Sequence, residues 1–188
     1  FGTYIRSIDK TRKYRKDLLE FLESSIPNDI FCPYLINSQQ YISSDQSAKI
    51  KWQDHTEFDI HVVSETLFNT HKVHLTEKVC KPIVMYQPFI IFGPPHSLRY
   101  LKKYGFKTFN EVWDESYDDD FDHDSRFNKL TKLIKYIATL DKQSYQKLLN
   151  KTWNITEYNR RHFYSDKFKE LLMDELNTKL SSALNKQE

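Results

Sequence analysis

Between Phe58 and Gly105 the chain alternates two kinds of pattern, and this alternation restricts the fold more than any other feature. Phe58-Asp59-Ile60-His61-Val62-Val63 is short and β-branched, which predicts a strand emptying into the polar group Ser64-Glu65-Thr66. Thr76 then stands as a helix N-cap, with Glu77 where negative charge suits the positive end of the dipole, and Pro82 kinks that helix or confines it to a few turns. Pro88 to Phe92 reads as a buried strand closed by Gly93-Pro94-Pro95, and Ser97 to Tyr104 as a helix stopped by a left-handed Gly105. Strand, helix, strand, helix predicts an α/β fold: a parallel sheet with right-handed crossovers, flanked by helices, that gathers ligands at the carboxyl ends of its strands.

The flanks extend this unit into one domain over residues 1–188. Thr3 to Arg6 predicts a short strand, and Leu18, Leu19, Phe21 and Leu22 a helix that follows Asp9 and ends near Ser24-Ser25, before Pro27. Ile30 to Ile36 reads as a second strand, which Pro33 demotes to an edge or an irregular piece. Residues 37–54 turn polar and predict a mobile surface loop. Phe106 to Phe109 reads as one more short strand. Beyond the acidic run Asp114 to Asp124, a helical extension covers 125–184, starting near Arg126. Its apolar stripes are Phe127, Leu130, Ile134 and Ile137; Tyr145, Leu148, Leu149 and Trp153; and Phe168, Leu171, Leu172, Leu176 and Leu180, with Ser181 to Glu188 fraying.

Composition removes several functions. Only Gly2, Gly93 and Gly105 are glycine, which excludes a GxGxxG dinucleotide turn and a Walker loop, since each needs several positions without Cβ. A net charge of +2 gives no general footprint for nucleic acid or an anionic membrane. Cys32 and Cys80 are too few for a disulfide framework or a thiolate zinc site and suit a reducing, cytoplasmic compartment. Pro82 to Phe92 is about half the length of a membrane span, and no signal-peptide pattern is present. A chain opening Phe1-Gly2-Thr3, without an initiator methionine, reads as a trimmed domain or a fragment.

Ser64-Glu65-Thr66, Thr76-Glu77-Lys78 with Lys81-Pro82-Ile83, and Pro88 to Pro94 resemble the nucleotide-sugar-binding half of GT-B-fold glycosyltransferases, a Rossmann-like domain. The order of Thr-Glu-Lys, helix, proline-led strand and Gly-Pro is similar to the donor-site motif of the α1,3-fucosyltransferases. Gly105 to Phe109 and Asp114 to Asp118 also resemble short glycosyltransferase-like proteins of viral and marine microbial sequences. The likeness covers about sixty residues, a third of the chain. It implies a nucleotide-diphosphate sugar as donor, a purine nucleotide such as a GDP-sugar, an unidentified acceptor, and no metal or other cofactor. By this resemblance Glu77 takes the ribose and Lys78 the diphosphate, with Thr76 as cap or phosphate donor. The general base of such enzymes comes from another domain, so the resemblance implies a second domain outside this chain, or a homo-oligomer.

The residue chemistry agrees. A carboxylate accepts hydrogen bonds from a ribose diol, while an ammonium and helix N-terminal amides neutralise phosphates. Lys81, three residues beyond Lys78, adds a second positive charge at a position where the family carries a different residue. Ser64 and Glu65 stand at the mouth of a strand to meet base or sugar, and Arg6 ends a strand on the same edge. Taken alone, Thr76-Glu77-Lys78 also reads as an ordinary cap and Ser64-Glu65-Thr66 as turn chemistry. His71, His74 and Glu77 share no helix face if the helix begins at Thr76, and the Asp118 to Asp124 run lacks the glycine and terminal glutamate of a calcium loop, so neither predicts a metal site. Cys80 reads as a packing residue, and Arg12-Lys13, Arg15-Lys16 and Arg160-Arg161 as solvated helix faces. The rival function is a non-catalytic interaction or assembly module on the same α/β scaffold, docking a partner through its helical tail.

Overall fold

The short apolar runs pair side by side and all in one direction. A computed structural model describes residues 1–5, 12–27, 30–35, 50 and 52–185, and its four strands are β1 (Gly2–Ile5), β2 (Cys32–Leu35), β3 (His61–Ser64) and β4 (Phe89–Phe92). They form one parallel sheet in the order β2-β1-β3-β4, with Gly2 opposite Cys32 and His61, and His61 opposite Phe89. β3 and β4 are buried along their whole length, as expected for strands covered on both faces. Pro33 lies in β2 at the sheet edge, where a strand loses least by lacking an N–H. The chain passes from β1 to β2 on one side and then to β3 on the other, so the topological switch falls between β1 and β3.

Seven α-helices accompany these strands among the described residues: α1 (Lys13–Ser25), α2 (Trp52–His55), α3 (Glu77–Val84), α4 (Ser97–Lys103), α5 (His123–Ala138), α6 (Lys142–Phe163) and α7 (Asp166–Leu184). α1 packs against α5, and α3 against α6. Leu18, Leu22, Ile60, Val62, Val63, Ile90, Phe92, Phe109, Leu130 and Ile134 lie wholly inside. This is the α/β architecture with a helical C-terminal region.

Several expectations need correction. Trp52 to Asp54, assigned to the 37–54 loop, belong to the helical turn α2; residues 37–49 and 51 lie outside the described residues. No ladder forms at Phe106 to Phe109, because side chains take its backbone groups: Asn159 bonds the N–H and the C=O of Lys107, and the Glu115 carboxylate accepts from Phe109 N at 2.7 Å and Thr108 Oγ1 at 2.6 Å. α5 starts at His123, earlier than Arg126, because Asp122 caps it by accepting from Ser125 N. Trp153 leaves the stripe of α6, which buries Leu148, Thr152, Ile155, Thr156, Asn159 and His162; its ring lies exposed and stacked on Tyr86. α7 remains helical to Leu184, past the expected fraying at Ser181, although none of its residues is buried.

With so few glycines, two bulky residues carry turns that glycine usually carries. Tyr86 (φ 56°) and His96 (φ 67°) are left-handed, beside Gly105 at φ 86°. Arg160 fixes the Tyr86 turn by donating from Nη1 to Tyr86 Oη at 2.6 Å and from Nε to Val84 O at 2.9 Å. Under β1 and β3 a ring cluster of Tyr4, His55, Phe58 and His61 is held by Gln87, whose Nε2 donates to the carbonyls of His55 and Phe58. This fixes Gln87 Oε1 as the acceptor facing His55 Nδ1 at 2.8 Å.

Candidate functional site

Five of the predicted site residues, Ser64, Glu65, Thr76, Glu77 and Lys78, gather at the carboxyl end of β3, next to the switch. β3 ends at Ser64, and Glu65 N continues the sheet by donating to Phe92 O at 3.0 Å. Both residues are pinned from α1, since the Tyr14 hydroxyl reaches Glu65 O and sits 3.3 Å from Ser64 Oγ, while Arg15 Nη2 donates to Glu65 O at 2.9 Å. The Tyr14 hydroxyl is pushed up in pKa by burial, against the opposing effect of Arg15, so it acts as a neutral donor. Arg15, expected on a solvated face, is 3 % exposed. The reason is its spacing: Arg15, Leu18, Leu19 and Leu22 fall at i, i+3, i+4 and i+7, the inward stripe of α1.

Across the loop stands α3. Thr76 is its N-cap, extended in backbone, and its hydroxyl accepts from Lys78 N at 3.4 Å. The Glu65 carboxylate accepts from Thr76 N at 3.2 Å and from Thr76 Oγ1 at 2.7 Å. Lys78 Nζ donates to Thr76 Oγ1 at 3.0 Å, to Thr66 Oγ1 at 3.3 Å and to Glu77 Oε1 at 3.4 Å. Three acceptors thus meet three ammonium protons, and the Lys78 and Glu77 side chains keep 23 % and 39 % of their surface open. Partial burial pushes the Glu77 carboxyl up, but Lys78, its own backbone amide and Lys81 outweigh this and leave it below the usual carboxylate range. Glu77 is therefore anionic near neutral pH.

The remaining predicted residues separate from this group. Ser64 is 2 % exposed and Glu65 exposes nothing, so both support the site from beneath and offer no surface to a ligand. Lys81 turns to the Tyr4 ring, its ammonium 5.6 Å from the centroid. Arg6 lies outside the described residues. Cys80, read as packing, is a thiol pushed up to about 11 by burial and by the charges of Glu65 and Glu77. Arg126 escaped the sequence reading: it is 1 % exposed, stacks on Phe68 at 4.4 Å, and donates to Phe68 O (2.6 Å), Gly93 O (3.2 Å) and Asp120 O (2.7 Å). It ties the segments after β3 and β4 to the acidic run, and its spacing with Leu130, Leu133 and Ile137 was the available signal.

Among the described residues no group of three or more His, Cys, Asp or Glu is placed to hold a metal ion. No helix among them is long and apolar enough to cross a membrane. A cavity of about 530 Å³ between α4 and residues 110–119 is lined by Arg99, Lys102, Trp113, Glu115 and Asp118, among others, and by none of the predicted site residues. Comparison with protein-family models, with curated proteins and with solved structures finds no match for this chain.

Proposed function

We propose that this chain is the donor-binding domain of a GT-B-type glycosyltransferase and takes a nucleotide-diphosphate sugar at the N-terminus of α3. The observation that carries the reading is the pairing of an anionic Glu77 with a held Lys78 ammonium, both partly open, at the carboxyl end of β3 beside the switch point. In this reading Glu77 leaves its 3.4 Å contact for the ribose diol, which frees one ammonium proton and the positive charge of Lys78 for the diphosphate. An acceptor hydroxyl attacks the anomeric carbon, the bond from that carbon to the diphosphate oxygen breaks, and its electron pair leaves on the diphosphate. Lys78 stabilises that developing charge, and the hydroxyl proton goes to a base supplied by another domain or a second copy. The compartment that goes with this reading is the cytoplasm, as the two cysteines Cys32 and Cys80 suggest.

Calorimetric titration with GDP, UDP and their sugars tests it. The expected result is binding by the unaltered protein and a loss of tenfold or more in affinity in Lys78→Ala and in Glu77→Ala. Indifference of the unaltered protein to every nucleotide overturns the reading.

One observation favours the rival interaction module. Leu172, Met173, Leu176, Leu180 and Leu184 are 45 to 67 % exposed on α7, an apolar stripe larger than solitary surface leucines produce. Light scattering across concentrations separates the two: a monomer that binds nucleotide counts against the module.

A further inference from the structure

We infer that Glu65 is a positioning residue: its buried carboxylate sets the direction of the Thr76 hydroxyl proton and thereby aims the Lys78 ammonium. The inference rests on the nucleotide-sugar reading for its purpose, but its geometry stands apart from any ligand. Glu65 exposes none of its surface, and its main chain is clamped by Phe92 O, Tyr14 and Arg15, so its carboxylate has little freedom to leave. A carboxylate is acceptor only, so Thr76 Oγ1, 2.7 Å away, must spend its single proton on Glu65 Oε2. The hydroxyl lone pairs are then turned to the other side, where Lys78 Nζ at 3.0 Å and Lys78 N at 3.4 Å donate to them. Thr76 N, bound to Glu65 Oε1 at 3.2 Å, locks the cap in the same orientation. The relay runs from a fixed anion through one orientable hydroxyl to a cation at the surface.

An amide in place of the carboxylate breaks this logic. The Glu65→Gln side chain offers one acceptor and one donor group to two Thr76 donors, so one of them faces an N–H. Where the amide N–H faces Oγ1 the hydroxyl accepts from it, its own proton turns away from the ammonium, and one lone pair is left for Lys78 Nζ and Lys78 N together, which weakens the hold on the ammonium. Thr76→Val removes the hydroxyl acceptor without touching the carboxylate, while Thr76→Ser keeps it.

The test reads the ammonium directly, by NMR of protein labelled with ¹⁵Nζ-lysine at low temperature, with Lys78→Arg identifying the signal. A slowly exchanging Lys78 signal is expected in the unaltered protein and in Thr76→Ser, and its loss in Glu65→Gln and Thr76→Val, with circular-dichroism melting showing which variants are folded. GDP affinity is expected to fall tenfold or more in the same two variants and to be kept in Thr76→Ser. An unchanged signal in folded Glu65→Gln or folded Thr76→Val overturns the inference, as does its absence from the unaltered protein. A protein that shows this pattern of signals yet binds neither GDP nor UDP keeps the relay and loses the nucleotide reading.

Discussion

Replacing Arg126 by methionine tests the account of how the ligand-side edge of the sheet is held. Methionine keeps an unbranched apolar stem in contact with Phe68 but removes the donors to Phe68 O, Gly93 O and Asp120 O. Burial lowers the Arg126 pKa against the opposing pull of Asp120, Asp122 and Asp118, so part of each bond's strength offsets desolvation of the cation. A buried carbonyl left without its partner costs about 1–3 kcal/mol; Phe68 O and Gly93 O are buried and Asp120 O only partly so, which together suggests about 4 kcal/mol. Unfolding entropy of about 2.1 cal/mol/K per residue over 188 residues is about 0.4 kcal/mol/K, which converts the loss into a fall in Tm of about 10 °C. Differential scanning calorimetry of both proteins at pH 7.5 measures it, and Arg126→Lys is expected to fall between them because one ammonium cannot span three segments. A drop in Tm under about 2 °C for Arg126→Met refutes the reasoning.

Acid is expected to weaken the fold through His61, whose pKa is held well below the usual imidazole value by burial first and then by His55 and Lys81. The native state keeps His61 neutral while the unfolded chain takes a proton near pH 6.5, so its contribution is full above pH 6.5 and lost as pH falls below it. Urea titrations from pH 7.5 to 5 should show a slope of up to about 1.4 kcal/mol per pH unit below 6.5, reduced in His61→Phe; equal slopes in the two proteins contradict this. Gly105→Ala puts a Cβ 2.7 Å from His162 Nε2 at a φ of 86°, and should cost about 1–3 kcal/mol by chemical denaturation. Leu176→Lys on the open side of α7 should change stability by no more than about 0.5 kcal/mol while abolishing any concentration-dependent association seen by light scattering.

The fold was legible where local pattern and tertiary burial agree. Thr76, Pro82, Pro33 and Gly105 each take the role their chemistry suggests, because a cap, a missing N–H or a left-handed turn is decided within a few residues. Partner choice was not legible. Phe106 to Phe109 carries a strand's composition, yet Glu115 and Asn159, six and fifty-two residues away from the groups they bind, satisfy its backbone instead. Arg15 and Arg126 look like surface cations until the carbonyls that receive them, fifty or more residues away for Glu65 and Phe68, are brought alongside. In the candidate site the identities of Glu77 and Lys78 could be read from the sequence, whereas the withdrawal of Glu65 into the interior depends on α1, which contributes nothing to the motif.

The proline in the outermost strand bears on how this protein behaves when crowded. The outer margin of a parallel sheet invites a strand from a neighbouring molecule to add itself, the first step toward fibres. Pro33 gives such an intruder a position with no donor, so a strand added at that margin would miss one rung of its ladder for a covalent reason.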